Sequence, residues 1–519
     1  MKPNEQIDHG ADTQLHRTLG TRHLTMVALG SSIGMGMWLG AGTSLVNGGP
    51  AALFLGFVLA SSLIWAVNQA IGEMAVIYPL PSAFIQWTSI LISPAAGFAV
   101  GWGYWMSYWI SMANELQAVV TILRYWTDDL PTAAGISAFW VVIILVNIWA
   151  VKFFAEVEVV SSTIKFSWML VVVITLLVIT AGGAPKGHAI GFRYWNEDPF
   201  TNGFKGYIAI LPTCIFAMAG NETTAFVAHE VVNPRRSMPK AVNSIWLRLG
   251  LFYLLGSLMI TLAISPKDPN LFGNEGSNGS PFVISFQNAG IPAMAHITNT
   301  VIFLSVLSTG SITAYGGSRV LVGLAHINMA PSIFGKADSR GRPWAAYTAT
   351  LLFGGGLAYL NVSHTGEEVF TWLSHLVSLL QLVGWGLICL CNIRLRYIWK
   401  YQDRAVADLP WTSWFSPYAQ WWGLAWCIIL IILELYLSIK PLGERTSAKH
   451  FFANFVSIIA VLVAWILAQI WYRCPIWIHA GEVDLDEFRR FYADRDDEEE
   501  TGQTGIRHSV KRKAKALVS

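Results

Sequence analysis

Charged residues are what this sequence has least of. Asp, Glu, Lys and Arg make up 13% of its 519 residues, about half the ~25% of ordinary soluble domains. A water-facing surface needs a denser cover of charge than this, so a soluble enzyme and a nucleic-acid binder are both excluded. Neither sign is in excess. The 34 basic and 32 acidic residues leave a net charge of +2, too little to recruit a polyanion. Cysteine is scarce as well. Cys214, Cys389, Cys391, Cys427 and Cys474 all fall in or beside apolar stretches. Cys389-x-Cys391 lacks metal-site spacing and a nearby histidine, so these read as small apolar residues in helices. The chain also lacks a catalytic carboxylate pair, a nucleophile elbow and a phosphate loop. No enzymatic activity, metal or cofactor is expected. No cleavable signal peptide is evident, since residues 1–23 are polar and mixed in charge.

Apolar residues are abundant. They reach 54% of the chain, aromatics 13% with 24 Trp, and mean hydropathy is +0.47. The composition predicts an all-α integral membrane protein. A spanning helix needs ~20 mostly apolar residues. Stretches of that kind lie at 24–45, 51–78, 97–123, 136–154, 158–181, 207–228, 242–264, 283–318, 345–361, 369–392, 418–438 and 452–472. This predicts twelve transmembrane helices, with both termini on one side. With the amino terminus cytoplasmic, the inner loops hold the larger share of Lys and Arg, which is the preferred orientation. Arg235, Arg236, Lys240 and Arg248 then share one inner loop, and Arg394, Arg396, Lys400 and Arg404 another. The carboxy tail turns strongly charged after about Glu482 and reads as solvated.

Two of these stretches are interrupted. The first contains Gly30-Ser31-Ser32-Ile33-Gly34-Met35-Gly36, and glycine this dense disfavours a continuous helix. The sixth contains Pro212, then Phe216-Ala217-Met218-Ala219-Gly220-Asn221-Glu222. A break inside a bilayer is tolerated only where it lines a cavity or is buried in protein. Gly30-x-x-x-Gly34 and Gly36-x-x-x-Gly40 also fit close helix packing. The two breaks lie five spans apart, however, as in an inverted five-helix repeat whose broken helices meet at the midplane. Half-helix N-termini offer N–H groups to an anion, and freed carbonyls accept from an ammonium. An α-amino acid carries both groups on one carbon.

These residues resemble the amino acid–polyamine–organocation superfamily, and within it the fungal amino-acid permease branch. Arg22-His23-Leu24, the first-helix glycine motif with Gly48-Gly49-Pro50, and Gly72-Glu73-Met74-Ala75 carry the likeness. So do the sixth-helix motif, the following His229-Glu230-Val231-Val232-Asn233-Pro234-Arg235-Arg236, and Ser318-Arg319 with Gly323-Leu324-Ala325. The resemblance implies a 5+5 inverted-repeat (LeuT-type) core with helices 1 and 6 broken, plus two extra helices. The corresponding units are a tail at 1–23, a core at 24–392 with repeats at about 24–181 and 207–392, residues 393–472 with helices 11 and 12, and a tail at 473–519. It implies proton-coupled import of amino acids across the plasma membrane by alternating access, with amino acid, protons and lipid as partners. Main-chain groups around Ser31, Ser32, Ile33, Gly34, Met35 and Gly36 would hold the substrate carboxylate and share its amino group. Carbonyls of Phe216, Ala217 and Ala219 would accept from the ammonium, with the Phe216 ring as cover. Met35 stands where relatives carry Thr or Ser, and Trp38 where Phe is common. Both would add apolar bulk to the site and shift its substrate.

Ionisable residues inside a membrane are functional candidates by default. Lys165 in the fifth span is a candidate to couple proton to substrate, because an ammonium withdrawn from water can release and regain its proton. A structural pairing with Glu156 or Glu158 is the alternative. Glu222 reads either as a gate or as a brace for the broken sixth helix. Glu115 in the third span faces the cavity or its helical neighbours. Glu73 reads as structural. Two further functions fit the same fold: an amino-acid sensor that does not transport, and a carrier of a polyamine or other small cation.

Overall fold

The computed structural model describes residues 25–490, apart from 27–28, 31–32, 81, 128, 149–150, 187, 229–230, 232, 272–278, 339–340, 363–365 and 444. Ser31, Ser32, the Arg22-His23-Leu24 motif, His229 and both outermost tails lie outside the described residues. Within them the chain is helical, with one isolated bridge between Leu271 and Gly279. Seven helices are long and apolar enough to cross a membrane, and Thr132–Ile148 and Gly203–Ala217 are shorter apolar helices. A multi-pass membrane protein is the result.

The helices follow local signals. A π-helical turn at Gly36–Gly40 runs into α1 (Ala41–Gly48). Gly49, at a φ of 85°, turns the chain into α2 (Pro50–Ile77), where proline at the first turn costs no hydrogen bond. α3 (Phe84–Leu91) is short. α4 (Pro94–Leu123) starts on Ser93, whose side chain accepts from the Ala96 N–H. α5 (Thr132–Ile148) and α6 (Val151–Thr180) follow. The sequence expectation began the fifth span at 158. The observed start puts Lys165 near the middle of its helix rather than close to one end.

α7 (Gly203–Ala217) and α8 (Thr223–Val227) are the two halves of the sixth stretch. α9 (Pro234–Arg248) passes through a π-helical segment, Leu249–Leu255, into α10 (Gly256–Ala263). The stretch expected as one span at 283–318 is two elements. α11 (Pro281–Asn288) ends at a turn where Gly290 takes a φ of 77°, and Pro292 then opens α12 (Pro292–His326). α13 (Trp344–Ala358) and α14 (Gly366–Tyr401) follow, and α14 runs nine residues past the expected end at 392. α15 (Tyr418–Ile439) and α16 (Ala448–Tyr472) complete the bundle.

α4 is the spine. It is 30 residues long and packs against α12, α13, α14 and α16. It carries Ser107, Ser111, Asn114, Glu115 and Gln117, all buried. At one end of the bundle Glu73 on α2 clamps α14. Its carboxylate accepts from Arg396 at 2.7 and 3.1 Å, from Asn392 at 2.9 Å and from the Ser413 N–H at 2.7 Å.

The segment after α16 departs from expectation. Residues 473–490 do not leave the protein but dock across the ends of α2, α3 and α14. Ile478 N–H donates to the Ile92 carbonyl at 2.9 Å, Tyr78 hydroxyl to the Leu485 carbonyl at 2.8 Å, and Arg490 N–H to the Ile77 carbonyl at 2.9 Å. Gln402 donates to the Ala480 and Val483 carbonyls. Val483 and Leu485 are buried, and such alternating apolar anchors in a charged stretch are the signal that charge alone concealed.

Arg404 grips Asp486 in a two-pronged pair at 2.8 and 2.6 Å. The hydrogen bonds and charge of Arg404 hold the Asp486 carboxyl below its usual range. A depressed carboxylate contributes stability above its ordinary value and loses it as pH falls through the depressed one. Docking should therefore be unchanged between pH 7 and 5. At pH 7, Arg404→Ala should speed amide hydrogen exchange at 478–490 several-fold, leaving exchange within α4 unchanged.

Candidate functional site

The two helix interruptions touch. A Cβ built on Gly36 would stand 2.5 Å from the Ala217 Cα, and one on Gly34 would stand 2.4 Å from Glu115 Oε1. Only glycine permits these approaches. The first interruption leaves main-chain groups without helical partners, and side chains from three other helices take them up. The Met35 N–H donates to both carboxylate oxygens of Glu115, at 3.2 and 3.3 Å. The Ile33 carbonyl accepts from Ser305 at 2.7 Å and Thr309 at 2.9 Å. The Gly30 carbonyl accepts from Lys165 Nζ at 3.3 Å.

The second interruption behaves alike. α7 ends at Ala217, whose carbonyl accepts from the Tyr253 hydroxyl at 2.7 Å. The Phe216 carbonyl accepts from the Ala219 N–H at 3.0 Å. Gly220 takes a φ of 86°, which redirects the chain into α8. Arg248 reaches Asn221 Oδ1 at 2.6 Å.

Between the breaks lies a cavity of about 20 Å³ lined by Gly34, Gly36, Glu115, Phe216, Ala217, Ala219 and Gly220, with Ser107, Tyr108 and Ser111 from α4, Thr309, Ile312 and Thr313 from α12, and Gln381 from α14. That space holds about one water molecule, which needs ~10–15 Å³. The lining combines hydroxyls, a carboxylate and backbone groups with an aromatic cover, chemistry suited to a small zwitterion. The Phe216 ring meets Phe370 edge to face at 5.8 Å.

The expected residues sort into two groups. Gly34, Gly36, Phe216, Ala217, Ala219 and Glu115 surround the cavity. Ile33 and Met35 are buried beside it but do not line it. The Met35 thioether instead lies 3.8 Å from Gln117 Nε2. Trp38 also points away, donating to Ser305 at 3.1 Å and packing its ring on Phe252 and Phe282. The expected apolar bulk of Met35 and Trp38 is therefore spent on packing between helices, not on the cavity wall.

Lys165 does not line the cavity either. It donates to Ser308 at 2.9 Å and sits 3.9 Å from Glu158 Oε1, while Ser308 donates to Glu158 at 2.5 Å. The network joins α6, α12 and the first interruption. Glu222 accepts from Tyr108 at 3.3 Å and Trp385 at 3.2 Å, which ties the second break to α4 and α14 as a brace.

Sequence reasoning missed the hydroxyl faces of α4 and α12. Ser107, Ser111 and Glu115 are four residues apart, as are Ser305, Thr309 and Thr313, so each set lies on one helix face. Polar spacing inside an apolar span was the available signal. Tyr253 had none, because its role depends on the π-helical segment that aims it.

Comparison with known proteins points in the same direction. A family profile described as "Amino acid permease" matches residues 23–477. The chain is 36% identical over 482 residues to a probable amino-acid permease, meu22, of Schizosaccharomyces pombe, covering 92% of this chain and 84% of that one. It is 36% identical over 485 residues to the general amino-acid permease GAP2 of Candida albicans, covering 92% and 82%. With cationic amino acid transporter 1 of S. pombe it shares 35% identity over 507 residues, covering 96% and 86%.

The contacts at the breaks set the cost of altering them. Glu115→Ala removes the acceptor of a buried N–H, a loss of about 1–3 kcal/mol, whereas Glu115→Gln retains one oxygen. The alanine variant should melt at the lower temperature. Gly36→Val forces the two breaks apart, and its thermal melt should fall further than that of Gly36→Ala.

Proposed function

This chain belongs to the amino acid permease family, and we propose that it imports amino acids together with protons across the plasma membrane by alternating access. It is a transporter and not an enzyme. The reading takes twelve spanning helices, a 5+5 inverted-repeat core with helices 1 and 6 broken, and both termini in the cytoplasm. In that frame the docked segment 473–490 marks the inner end of the bundle.

The observation that carries the proposal is the Glu115 carboxylate on the Met35 N–H. That N–H, freed by the break, is where a substrate carboxylate would be held. Two carboxylates at one N–H repel each other. An arriving substrate therefore either displaces Glu115 or requires it to hold a proton. Substrate and proton are thus favoured together, which is the thermodynamic core of symport. Across the cavity the carbonyls of Phe216, Ala217 and Ala219 would accept from the ammonium, which at Ala217 would take the place of the Tyr253 hydroxyl.

Lys165 is the second coupling group. Its ammonium holds the Gly30 carbonyl and the Ser308–Glu158 pair at once. A change in its protonation alters the hold on the first broken helix, the element that must move for the cavity to open inward. Because the cavity is about 20 Å³, substrate entry requires such motion.

Proteoliposomes containing the full chain, offered radiolabelled amino acids with an inward proton gradient, test this. Wild type should concentrate substrate. Lys165→Ala should lose at least ten-fold in gradient-driven accumulation while retaining exchange. Glu115→Gln should bind substrate with little dependence on pH. Exchange without accumulation in wild type would overturn proton coupling, and a Lys165→Ala variant that still concentrates substrate would remove Lys165 from it.

A further inference from the structure

A second and much larger cavity lies at the other end of the bundle from the docked segment 473–490. That segment meets α14 near Arg394 and Gln402, whereas this cavity meets the same helix at Glu368, Thr371, Trp372 and His375. Ends of α1, α7, α15 and α16 complete the wall, and the cavity measures about 510 Å³. Small-molecule sites fall in the range of about 300–1,000 Å³, so an amino acid fits here without rearrangement. The buried Phe370 and Phe216 rings separate it from the central cavity. Phe216 lines the central one, and the residues following Phe370 line the larger one.

The charge of this vestibule is one-sided. Its lining includes Glu368, Glu434, His375 and His450, and no Lys or Arg. Glu434 on α15 is 3% exposed, and neither of its carboxylate oxygens has a hydrogen-bond partner. Its ion-pair neighbour is His375, whose Nδ1 lies 3.4 Å away and makes no hydrogen bond itself. The Ser438 hydroxyl donates to the Glu434 main-chain carbonyl, not to the carboxylate. A buried carboxylate without donors is unfavourable, and a cationic donor brought in by a ligand relieves it. The cavity has the volume for an organic cation, and an ammonium supplies the hydrogen-bond donors that the Glu434 oxygens lack.

We propose that this vestibule is a second ligand site, which captures the ammonium group of an amino acid on Glu434 before the ligand passes the Phe216–Phe370 pair. The proposal rests on the amino-acid transport reading for its ligand class. Because the lining carries carboxylates and no Lys or Arg, a ligand with two ammonium groups is held more tightly than one with a single group.

The test uses the full chain in liposomes with Thr371→Cys, one turn before His375 on the vestibule wall. Native Cys214, Cys389, Cys391 and Cys427 are buried and Cys474 is at the other end, so the new thiol reports this cavity. Impermeant cationic and anionic methanethiosulfonates should label it at rates differing at least ten-fold in favour of the cation. L-lysine should slow labelling, L-norleucine should do so at higher concentration, and 2-hydroxyhexanoate, without any ammonium, should not. Glu434→Gln should abolish the protection; should it fail to fold, Glu434→Asp, which draws the carboxylate back by one methylene, should weaken it, while His375→Gln, which leaves the Glu434 carboxylate in place, should keep it. Equal protection by all three ligands, or protection that survives Glu434→Gln, would overturn the site. Protection that persists while wild type takes up no amino acid would leave the site standing and defeat the transport reading instead.

Discussion

Broken helices in an apolar bundle impose one constraint above all: every main-chain group they free must find a partner inside the protein. The structure answers with side chains drawn from distant regions of the chain. Glu115 meets the Met35 N–H, Ser305 and Thr309 meet the Ile33 carbonyl, Lys165 the Gly30 carbonyl and Tyr253 the Ala217 carbonyl. Each of these contacts fixes the depth and rotation of the helix that supplies it. α4, α6, α12 and the α9–α10 rod are therefore positioned by what the breaks lack.

The same contacts explain why polar residues persist in spans where each is costly. On α4 and α12, Ser107, Ser111, Glu115, Ser305, Thr309 and Thr313 either bind a freed main-chain group or line the cavity between the breaks. A ligand bringing its own carboxylate and ammonium competes with partners already in place, so exchange of one hydrogen bond for another replaces the exposure of bare groups. The contrast with the vestibule is one of preparation. There, Glu434 is buried without hydrogen bonds, so an incoming cation competes only with the His375 imidazole beside it.

Much of this was legible in the residues. Glycine density marked the first interruption, and Pro212 with Gly220 marked the second, because backbone freedom is a local property. Membership of the family could be read from ordered motifs. What escaped depended on three-dimensional aim. Met35 and Trp38 sit in the glycine-rich stretch yet face away from the cavity, Met35 toward Gln117 and Trp38, inside the π-helical turn at Gly36–Gly40, toward Ser305, Phe252 and Phe282. The stretch at 283–318 has no charged residue to interrupt it, and the turn at Gly290 and Pro292 divides it. The docking of 473–490 was hidden because its charges are matched by partners such as Arg404, remote in sequence.

Glu73 turns α14 into a lever. Three hydrogen bonds from Asn392 and Arg396 pin α2 and α14 together at one end, and a fourth from Ser413 ties in the chain that follows α14. Arg396 and His375 lie on that one helix, roughly 32 Å apart at ~1.5 Å per residue. A pivot there amplifies: a tilt of about 5° carries His375 sideways by about 3 Å over that arm, comparable to the width of a water molecule. The fulcrum is thus polar, while the far end of the helix, packed against its neighbours by apolar contacts, bears the Phe370 ring. In the proposed transport cycle a rotation of that size would draw the Phe370 ring away from Phe216 while leaving the pinned end nearly in place.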